Sequence, residues 1–238
     1  MSKTTLTRMF GTPARVALSL GILAGLLGTA TAGAESPCDA LHGAVDSNQI
    51  CQAHHADTGY TVDLSFPVDY PDQPPLGDYV ISLRDDFVEF AQSPPEHARP
   101  YSLRVTPVTY RSGDAATGTA SVVLKMNESA NPRLPMAWYK TFNYDLGARA
   151  PITLDTLFKP GVNTLDVVFP AVRRELEKRW QPEVLESMLG SFDDAAFRNF
   201  ALTDDAVIFF IGQGHLLGHP EGPLEVSVPR TALAPSLA

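Results

Sequence analysis

Residues 199–230, NFALTDDAVIFFIGQGHLLGHPEGPLEVSVPR, join a hairpin pattern to a long loop. Two apolar runs, Phe200–Leu202 and Ala206–Ile211, flank the turn sequence Thr-Asp-Asp, and a third, Leu224–Val228, follows a Gly- and Pro-rich excursion. Apolar runs bounded by turn residues are typical of strands. Residues 207–210 are apolar without alternation, which is typical of a strand covered on both faces. This stretch therefore predicts three antiparallel strands with one long loop.

The region before this stretch alternates between strand and helix patterns. Residues 60–66 place apolar side chains at every second position, which predicts a half-buried strand. Apolar residues recur at helical spacing over 76–92, after three prolines within 71–75 that predict an extended turn. Residues 101–110 alternate again as far as Pro107, where a proline favours an edge strand or a bulge.

The remaining elements complete an α+β pattern. Strands are predicted at Thr119–Asn127 and Met136–Asp145, and a strand end with one helical turn at Pro151–Phe158. Helices are predicted at 164–180, where Pro170 marks either the start or a kink, and at 182–189 and 193–199. The order of elements lacks the regular βαβ alternation of nucleotide-binding folds. We therefore expect an α+β fold with antiparallel β-sheets packed with helices.

The first 34 residues have the composition of a secretory signal peptide. Basic residues precede the apolar run Val16–Leu27, and Ala30-Thr31-Ala32 and Ala32-Gly33-Ala34 are candidate cleavage motifs. The apolar run is shorter than the roughly 20 residues needed to span a bilayer. We expect residues 35–238 to be a single globular unit, with an N-terminal half 35–145 and a C-terminal half 146–238. This unit is expected to be secreted or associated with the cell envelope, without a membrane span.

Charge excludes one class of partner. Cleavage after Ala34 removes three basic and no acidic residues, which takes the formal net charge from −9 to −12. An acidic exported protein repels the phosphate backbone of nucleic acids. Nucleic acid is therefore not an expected partner.

Cys38 and Cys51 are the only cysteines in the chain. An exported protein with an even number of cysteines usually pairs them, and closing a loop of this length stabilises by on the order of 3 kcal/mol. The alternative is two free thiols that serve as nucleophile or metal ligands, but neither cysteine is in a C-x-x-C pair. We expect a Cys38–Cys51 disulfide that holds the N-terminal segment on the domain.

The long loop carries the candidate site residues His215, His219 and Glu221. Two histidines four residues apart are the spacing of metal ligands on a helix, but Gly214 and Gly218 argue against a helix there. Exposed loop histidines are the alternative interpretation, and we expect no metal. Chelator should accordingly leave the melting temperature unchanged.

Several other residue patterns can be interpreted either as functional groups or as parts of the fold. His54 and His55 beside Asp57 are candidates for a general base or lie in a solvated loop. The aromatic residues of 138–144 offer a stacking surface or a packed core. Three pairs of adjacent aspartates are interpreted as a solvated helix face, a helix cap and a hairpin turn: Asp85-Asp86, Asp193-Asp194 and Asp204-Asp205. No common hydrolase or nucleotide-binding motif is present, and no cofactor is expected.

Several dispersed segments follow one another along the chain: Tyr70-Pro71-Asp72-Gln73, Val167-Val168-Phe169-Pro170 with Glu175-Leu176, Asn199-Phe200-Ala201, Val207-Ile208-Phe209-Phe210 and Val228-Pro229-Arg230. In sequence and in order they resemble the secreted immunogenic antigens of mycobacteria of the MPT/MPB type. The C-terminal half is also similar to a domain of RsiV-like anti-sigma factors and PdaC-like deacetylases, through Ile152–Phe158 and Leu202–Phe210. The loop 212–221 departs from that pattern, which has a Pro-Tyr-Glu-like segment after the apolar strand.

This resemblance implies an exported α+β protein without assigned cofactor or catalytic residues. The anti-sigma relatives use this domain to capture a protein ligand, and the catalytic domain of the deacetylases is absent from this chain. The leading hypothesis is therefore a non-enzymatic binding protein of the envelope or the extracellular space, with a protein or a cell-wall component as ligand. The alternative is a secreted carboxylesterase with a non-standard serine site, for which His215 or His219 would be the base.

Overall fold

The computed structural model describes residues 35–94, 100–130, 135–190, 193–218 and 222–238. Residues 35–238 form one compact unit. The predicted signal peptide, residues 1–34, lies outside the described residues. The boundary predicted between two halves at residue 145 stays a prediction.

A disulfide fixes the N-terminal segment. Helix α1 (Pro37–Ala40) and the short strand β1 (Ala44–Val45) lead into β2 (Ile50–Asp57). Cys38 on α1 is bonded to Cys51 on β2, with their Cα atoms 5.8 Å apart, which confirms the predicted pairing. The prediction of a solvated loop around His54 and His55 was wrong, because both residues lie in β2.

Strand β3 (Tyr60–Pro67), helix α2 (Gln73–Gln92) and strand β4 (Tyr101–Ser112) form the next unit. The alternation of β3 is confirmed, since Tyr60, Val62, Leu64 and Phe66 are all buried. The prolines that were expected to form an extended turn are partly in the helix, because Pro74 and Pro75 lie in its first turn. That position tolerates proline, since the first N–H groups of a helix have no intrahelical acceptor.

Strand pairing departs from the antiparallel prediction at one place. β3 pairs with β4 in parallel over Tyr60–Leu64 and Tyr101–Val105, with α2 as the crossover. Beyond Val105, β4 pairs only with its antiparallel neighbour, so the part that contains Pro107 is an edge, as predicted. The alternative of a bulge is wrong, because the register of β4 with that neighbour is unbroken.

Within the described residues, the large sheet has seven strands in sequence order, and α2 covers one of its faces. Its last members are β5 (Thr119–Ser129), β6 (Met136–Asp145) and β7 (Ala150–Pro151). Alternate residues of β3, β4 and β5 pack with α2 in a core that also holds the disulfide. The largest fully buried members of this core are Phe66, Leu76, Tyr101, Leu103, Leu124 and Met126.

The C-terminal half supplies most of the short helices. Their bounds are α3, Leu154–Leu157; α4, Thr164–Leu176; α5, Pro182–Met188; a 3-10 helix, Asp194–Phe197; and α6, Arg230–Leu233. Pro170 lies inside α4 rather than at its start. Thr153 caps α3 with a reciprocal hydrogen-bond pair to Thr156, and Asn163 caps α4 through the N–H of Leu165.

The segment 199–230 forms a second, three-stranded antiparallel sheet of β8 (Phe200–Leu202), β9 (Ala206–Ile211) and β10 (Leu224–Pro229). The strand order is β10-β9-β8. Val207, Phe209 and Ile211 face the C-terminal helices, and Phe210 faces Tyr139 of the large sheet. Both faces of β9 are therefore covered, as the unalternating run predicted.

The layers are α2, the large sheet, the small sheet and the C-terminal helices. This arrangement confirms the predicted α+β fold and the Cys38–Cys51 disulfide. The predicted antiparallel pairing is corrected at one place, because β3 and β4 pair in parallel. Over the described residues, none of the helices has the length and apolarity that crossing a bilayer requires. The small sheet covers only part of the large sheet, and the uncovered part holds the candidate site.

Candidate functional site

The loop after β9 is attached to the edge of β6. The backbone N–H of Gln213 donates to the carbonyl of Ala137 at 3.0 Å, and the N–H of Ala137 donates to Gln213 Oε1 at 3.2 Å. Leu216 and Leu217 are buried in the core of the C-terminal helices, whereas His215 is exposed. The loop is therefore anchored at both of these points and presents His215 to solvent.

The structure does not assemble the predicted loop site. His219 and Glu221 lie outside the described residues, and His215 has no carboxylate partner among the residues that are described. No group of three potential metal ligands occurs in the described part of the chain. The role of this loop stays a prediction, except that Gln213 reaches the cavity described below.

Polar side chains cover the exposed part of the large sheet, on the face opposite α2. Each strand there alternates, so that its apolar residues face α2 and its polar residues face solvent. Gln52 on β2, Thr106 on β4 and Asn127 on β5 are exposed, and Ser65 on β3 donates to Gln52 Oε1 at 2.5 Å. Farther along the same face, Ser121 and Val123 are buried beneath the small sheet.

One row of this face carries charges of both signs. The register of the sheet places His54, Asp63, Arg104 and Asn127 side by side on four successive strands. His54 Nδ1 lies 2.7 Å from Asp63 Oδ1, and Arg104 Nη2 lies 3.4 Å from Asp63 Oδ2. Asp63 thus accepts from two partners, one on each neighbouring strand. This arrangement leaves His54 Nε2 and the rest of the Arg104 guanidinium available on the exposed face.

A cavity of about 490 Å³ lies at the end of this row. Its volume is within the roughly 300–1,000 Å³ range of small-molecule sites. Burial raises the pKa of the Glu128 carboxyl above its ordinary value, so that its proton is held more tightly than in water. The lining residues that carry polar side chains are Thr61, Asp63, Ser102, Arg104, Asn127, Glu128, Ser129 and Gln213. Residues with charged, amide and hydroxyl side chains therefore line one cavity.

The aspartate pairs have structural roles. Asp85 forms an ion pair with Arg84 on the exposed side of α2, and Asp193 caps the 3-10 helix through the N–H of Ala195. Asp204 accepts from the N–H of Gly113, 2.6 Å away, in the turn between β4 and β5. The hairpin-turn carboxylate therefore also joins the two sheets, which its sequence position did not indicate.

The aromatic residues of β6 are packed rather than exposed as a platform. Phe142 contacts the rings of Tyr70 and Tyr79 on the α2 side of the sheet. Tyr139 faces the small sheet, where its hydroxyl donates to Glu225 Oε1 at 3.1 Å and burial raises its pKa. The core-packing interpretation fits these contacts.

The geometry bears on the serine-hydrolase alternative. Within the described residues, no hydrogen bond joins a serine hydroxyl to a histidine ring; the histidine side chains bond to Asp63 and to the hydroxyl of Tyr60. Of the described histidines, His54 alone has a carboxylate on Nδ1, which is the orientation that a triad requires of its base. Among the described histidines, His54 therefore has the orientation that such a base needs, and the assignment of a base to His215 or His219 stays a prediction.

The sequence contained an unused signal for the His54–Asp63 pair. Thr58-Gly59 lies between two alternating runs, and a two-residue hairpin turn at this position opposes Asp57 to Tyr60. Counting back from that turn opposes His54 to Asp63. The position of Arg104 beside Asp63 could not be predicted by such counting, because helix α2 lies between β3 and β4 in the chain.

Comparisons with known proteins place the chain in a family. It is 42% identical to "Esterase Rv3036c" of Mycobacterium tuberculosis H37Rv over 212 residues, 88% of this chain and 92% of that protein. It is 40% identical over 211 residues to "Immunogenic protein MPB64" of Mycobacterium bovis and to "Immunogenic protein MPT64" of M. tuberculosis, with 89% of this chain and 92% of each relative covered.

The C-terminal half matches a domain family, and two solved structures share the fold. Residues 155–231 match the family described as "Protein of unknown function (DUF3298)". A DUF3298 protein from Pseudomonas aeruginosa PAO1 (PA4972) superimposes with a TM-score of 0.57 at 13% identity, covering 82% of this chain and 96% of that one. A member from Bacteroides fragilis (BF2082) gives 0.54 at 15% identity, covering 82% and 95%. The chain therefore belongs to the mycobacterial MPT64/MPB64 immunogenic protein family, with a DUF3298 domain in its C-terminal half.

Proposed function

We propose that this protein is an exported, non-enzymatic binding protein, and that the polar cavity beside Arg104 and Asp63 holds part of its ligand. The observation that carries the proposal is the convergence of a guanidinium, carboxylates and amides on one cavity that has no hydrogen-bonded serine–histidine pair within the described residues. Such a lining suits recognition by many hydrogen bonds. The expected ligand is a protein or a cell-wall component.

The open side of the cavity favours a large ligand. Exposed polar residues continue from it across β2, β3 and β4, so that a ligand segment in the cavity can extend over Arg104 and His54. The names of the immunogenic relatives are consistent with a protein that reaches the outside of the cell. Export follows from the predicted signal peptide.

The test measures co-sedimentation of the purified mature protein with isolated mycobacterial cell walls and, separately, its retention of envelope proteins. Arg104→Ala is expected to weaken association about tenfold, because the contact of a charged donor is lost. Arg174→Ala is the matched control, since Arg174 is an exposed arginine on α4 in another layer. Equal association of wild type and Arg104→Ala would reject the cavity as the binding site.

Export has a separate test. The protein recovered from culture filtrate or envelope is expected to begin near Glu35, as measured by N-terminal mass spectrometry. Recovery only from the cell interior, with Met1 retained, would contradict it.

A carboxylesterase is the second candidate function. It is favoured by the name of the relative that is 42% identical, and by the His54–Asp63 pair. Ser65 is the nearest serine in register on the neighbouring strand, two residues beyond the partner of His54 and on the same face. The arrangement would require Ser65 to leave its acceptor Gln52 Oε1 and approach His54 Nε2.

Hydrolysis of p-nitrophenyl butyrate separates the two functions. The binding proposal expects no turnover above background. An esterase would show turnover that Ser65→Ala and His54→Ala abolish, whereas His42→Ala, a change at an exposed histidine outside this face, retains it. Loss of activity in His215→Ala instead would place the base on the loop.

A further inference from the structure

The row of His54, Asp63 and Arg104 determines which nitrogen of the histidine ring carries a proton. An ionised carboxyl group can only accept hydrogen bonds, so His54 Nδ1, which lies 2.7 Å from Asp63 Oδ1, must be protonated. In the neutral ring the other nitrogen, Nε2, then has no proton and is an acceptor. A second proton binds at Nε2 and makes it a donor on the exposed face of the sheet.

The two side chains that flank Asp63 are more exposed than Asp63 itself. The exposed fractions of the side chains are 65% for His54, 67% for Arg104 and 42% for Asp63. Both carboxylate oxygens are also engaged within the row, Oδ1 by His54 and Oδ2 by Arg104 Nη2 at 3.4 Å. Arg104 offers N–H donors at every pH, whereas His54 Nε2 offers one only when the ring is protonated.

The permanent charges on this face cancel while His54 is neutral. Because side chains alternate along a strand, the position of each charged residue assigns it to one face of the sheet. Among the described residues, the charged groups on and beside the face opposite α2 are Asp63, Arg104 and Lys125 of the large sheet and Glu225 of the small sheet, which accepts from Tyr139 at the margin. These are two cations and two anions. Protonation of His54 therefore gives the face one net positive charge.

The neighbouring titratable groups do not oppose this change. His55 and Asp57 alternate to the α2 side of β2, where the His55 ring contacts the hydroxyl of Tyr60. Burial raises the pKa of Glu128, which lines the adjacent cavity, so this group also becomes less negative as the pH falls.

Two tyrosines at the margin of the small sheet stay neutral. Burial raises the pKa of the Tyr110 and Tyr139 hydroxyls, which keeps both protonated up to pH 8 and above. Histidine is the side chain type that changes charge between pH 5 and 8. The change in charge of this face over that range therefore comes mainly from the histidine of the row.

An oxyanion is the ligand that this change favours. Protonated His54 and Arg104 present charged N–H donors two strands apart, one on each side of Asp63. Charged donors form stronger hydrogen bonds with carboxylate, phosphate and sulfate oxygens than neutral donors do. The chain as a whole has a formal net charge of −9, so an anion is repelled by most of the remaining surface.

We infer that the row of His54, Asp63 and Arg104 is an oxyanion-binding site that requires the protonated form of His54. The inference rests on the proposed function for the position of the ligand, and it adds the chemical class of the group bound there and the dependence of binding on pH. The row lies on an exposed face, so the oxyanion can be a free ion or a group of a larger molecule. Affinity is expected to rise about fivefold on acidification, the effect of one added charge at an exposed site.

The test is an NMR titration of the isotope-labelled protein with sodium sulfate at about pH 8 and about pH 5.5, on either side of the range in which histidine changes charge. Sulfate is the probe because its own charge is the same at both pH values, and sodium chloride keeps the ionic strength constant. Sulfate is expected to shift the ring signals of His54 and the Nε–Hε signal of Arg104, with about fivefold higher affinity at the lower pH. Equal affinity at both pH values, or shifts only outside the row, would overturn the inference.

Variants assign the effect to the row. His54→Gln keeps a side chain that can donate to Asp63 but takes up no proton in this range, and it is expected to bind sulfate at both pH values as weakly as the wild type does at the higher one. His42→Gln, a change at an exposed histidine outside this face, is the matched control and should retain the pH dependence. Arg104→Gln is expected to lose sulfate binding at both pH values. A pH dependence that persists in His54→Gln would contradict the inference.

Association with isolated cell walls is measured at the same two pH values. Association that is stronger at the lower pH and loses this dependence in His54→Gln would support the inference and assign the oxyanion to the wall. Sulfate binding that depends on His54, without association with cell walls or envelope proteins, would reject the proposed function and leave the oxyanion site in place. Association with cell walls, without any binding of sulfate, would reject the oxyanion site and leave the proposed function in place.

Discussion

Gly43 illustrates how closely single residues pack around the disulfide. A Cβ atom at this position would lie 2.6 Å from Cys51 Sγ and 3.0 Å from Cys38 Sγ. The sulfur atoms are fixed by the bond between them, so the segment that carries Gly43 would have to move. The requirement for glycine here comes from the close approach of β1 to the disulfide, and not from a turn conformation.

Gly43→Ala is therefore expected to lower the free energy of unfolding by about 1–3 kcal/mol, the usual cost of overpacking. The measurement is urea unfolding of the oxidised protein. Gly190→Ala is the control, because the nearest atom to a Cβ there is the carbonyl oxygen of Leu216 at 3.8 Å. A Gly43→Ala protein as stable as the wild type would show that the segment shifts without cost.

Glu128 makes stability depend on pH. Burial raises the pKa of its carboxyl, so the folded state binds this proton more tightly than the unfolded chain does. Stability is then lost as the pH rises from the unfolded pKa through the folded pKa. Glu128→Gln should melt at a higher temperature than the wild type at pH 7, and the difference should vanish below about pH 4. Glu89→Gln, at an exposed position on α2, should show no such change; a constant difference for Glu128→Gln at all pH values would contradict the expectation.

At the scale of elements, the outer edge of β6 is hydrogen-bonded by groups that do not form a full strand. Side chains and backbone from the C-terminal half occupy its outer hydrogen-bonding groups: Asn199 Oδ1 accepts from Thr141 N–H at 3.1 Å, and Gln213 bonds to both groups of Ala137. Ile152 N–H donates to the carbonyl of Asn143 at 2.8 Å. Unpaired strand edges promote association between chains, so these contacts protect β6 without adding a full strand.

Helix α4 contains a destabilising residue in its interior. Pro170 has no N–H to donate to the carbonyl of Asp166, one turn earlier, and it is exposed. Pro170→Ala is expected to raise the free energy of unfolding by about 1–3 kcal/mol, measured as an increase in melting temperature. Pro182→Ala should give no gain, because Pro182 lies in the first turn of α5, where proline is favourable. A destabilised Pro170→Ala protein would indicate that packing requires the proline geometry.

At the scale of the whole molecule, polar contacts connect the two sheets around an apolar centre. Tyr139, Phe210 and Val123 pack between the sheets. At the margin, Arg230 Nη1 donates to Ser112 Oγ at 2.8 Å and to the carbonyl of Thr203 at 3.2 Å. The two halves of the chain therefore share a core. Separating the two sheets would expose buried aromatic surface.

This shared core predicts one cooperative unfolding transition. The chain has two tryptophans, Trp138 on β6 and Trp180 after α4, each packed against a different core. Trp138→Phe and Trp180→Phe each leave one reporter, and their urea transitions by fluorescence should have the same slope, with midpoints that agree with circular dichroism of the same variant. A midpoint from either reporter that differs from that of circular dichroism would show that the halves unfold separately.

The sequence by itself determined the disulfide and most of the elements from Tyr60 onward, but not strands β1 and β2. Strand alternation at residues 60–66 and helical spacing at 164–180 are local patterns, because each depends on side chains two to four positions apart on one element. The apolar residues of β9 do not alternate with polar ones, which predicted that both faces of this strand are covered. The prolines at 74 and 75 were misplaced because a helix start tolerates proline and a turn also favours it.

Only the tertiary structure decided which residues meet at the candidate site. His54 and Asp63 are joined by a hairpin that local counting could have found, but Arg104 comes beside Asp63 through a parallel pairing across α2. Periodicity reports which face of an element is buried, whereas the partner of that face is set by packing between distant segments. Residues 199–230 therefore specified the small sheet, whereas pairing and packing between distant segments specified the sites.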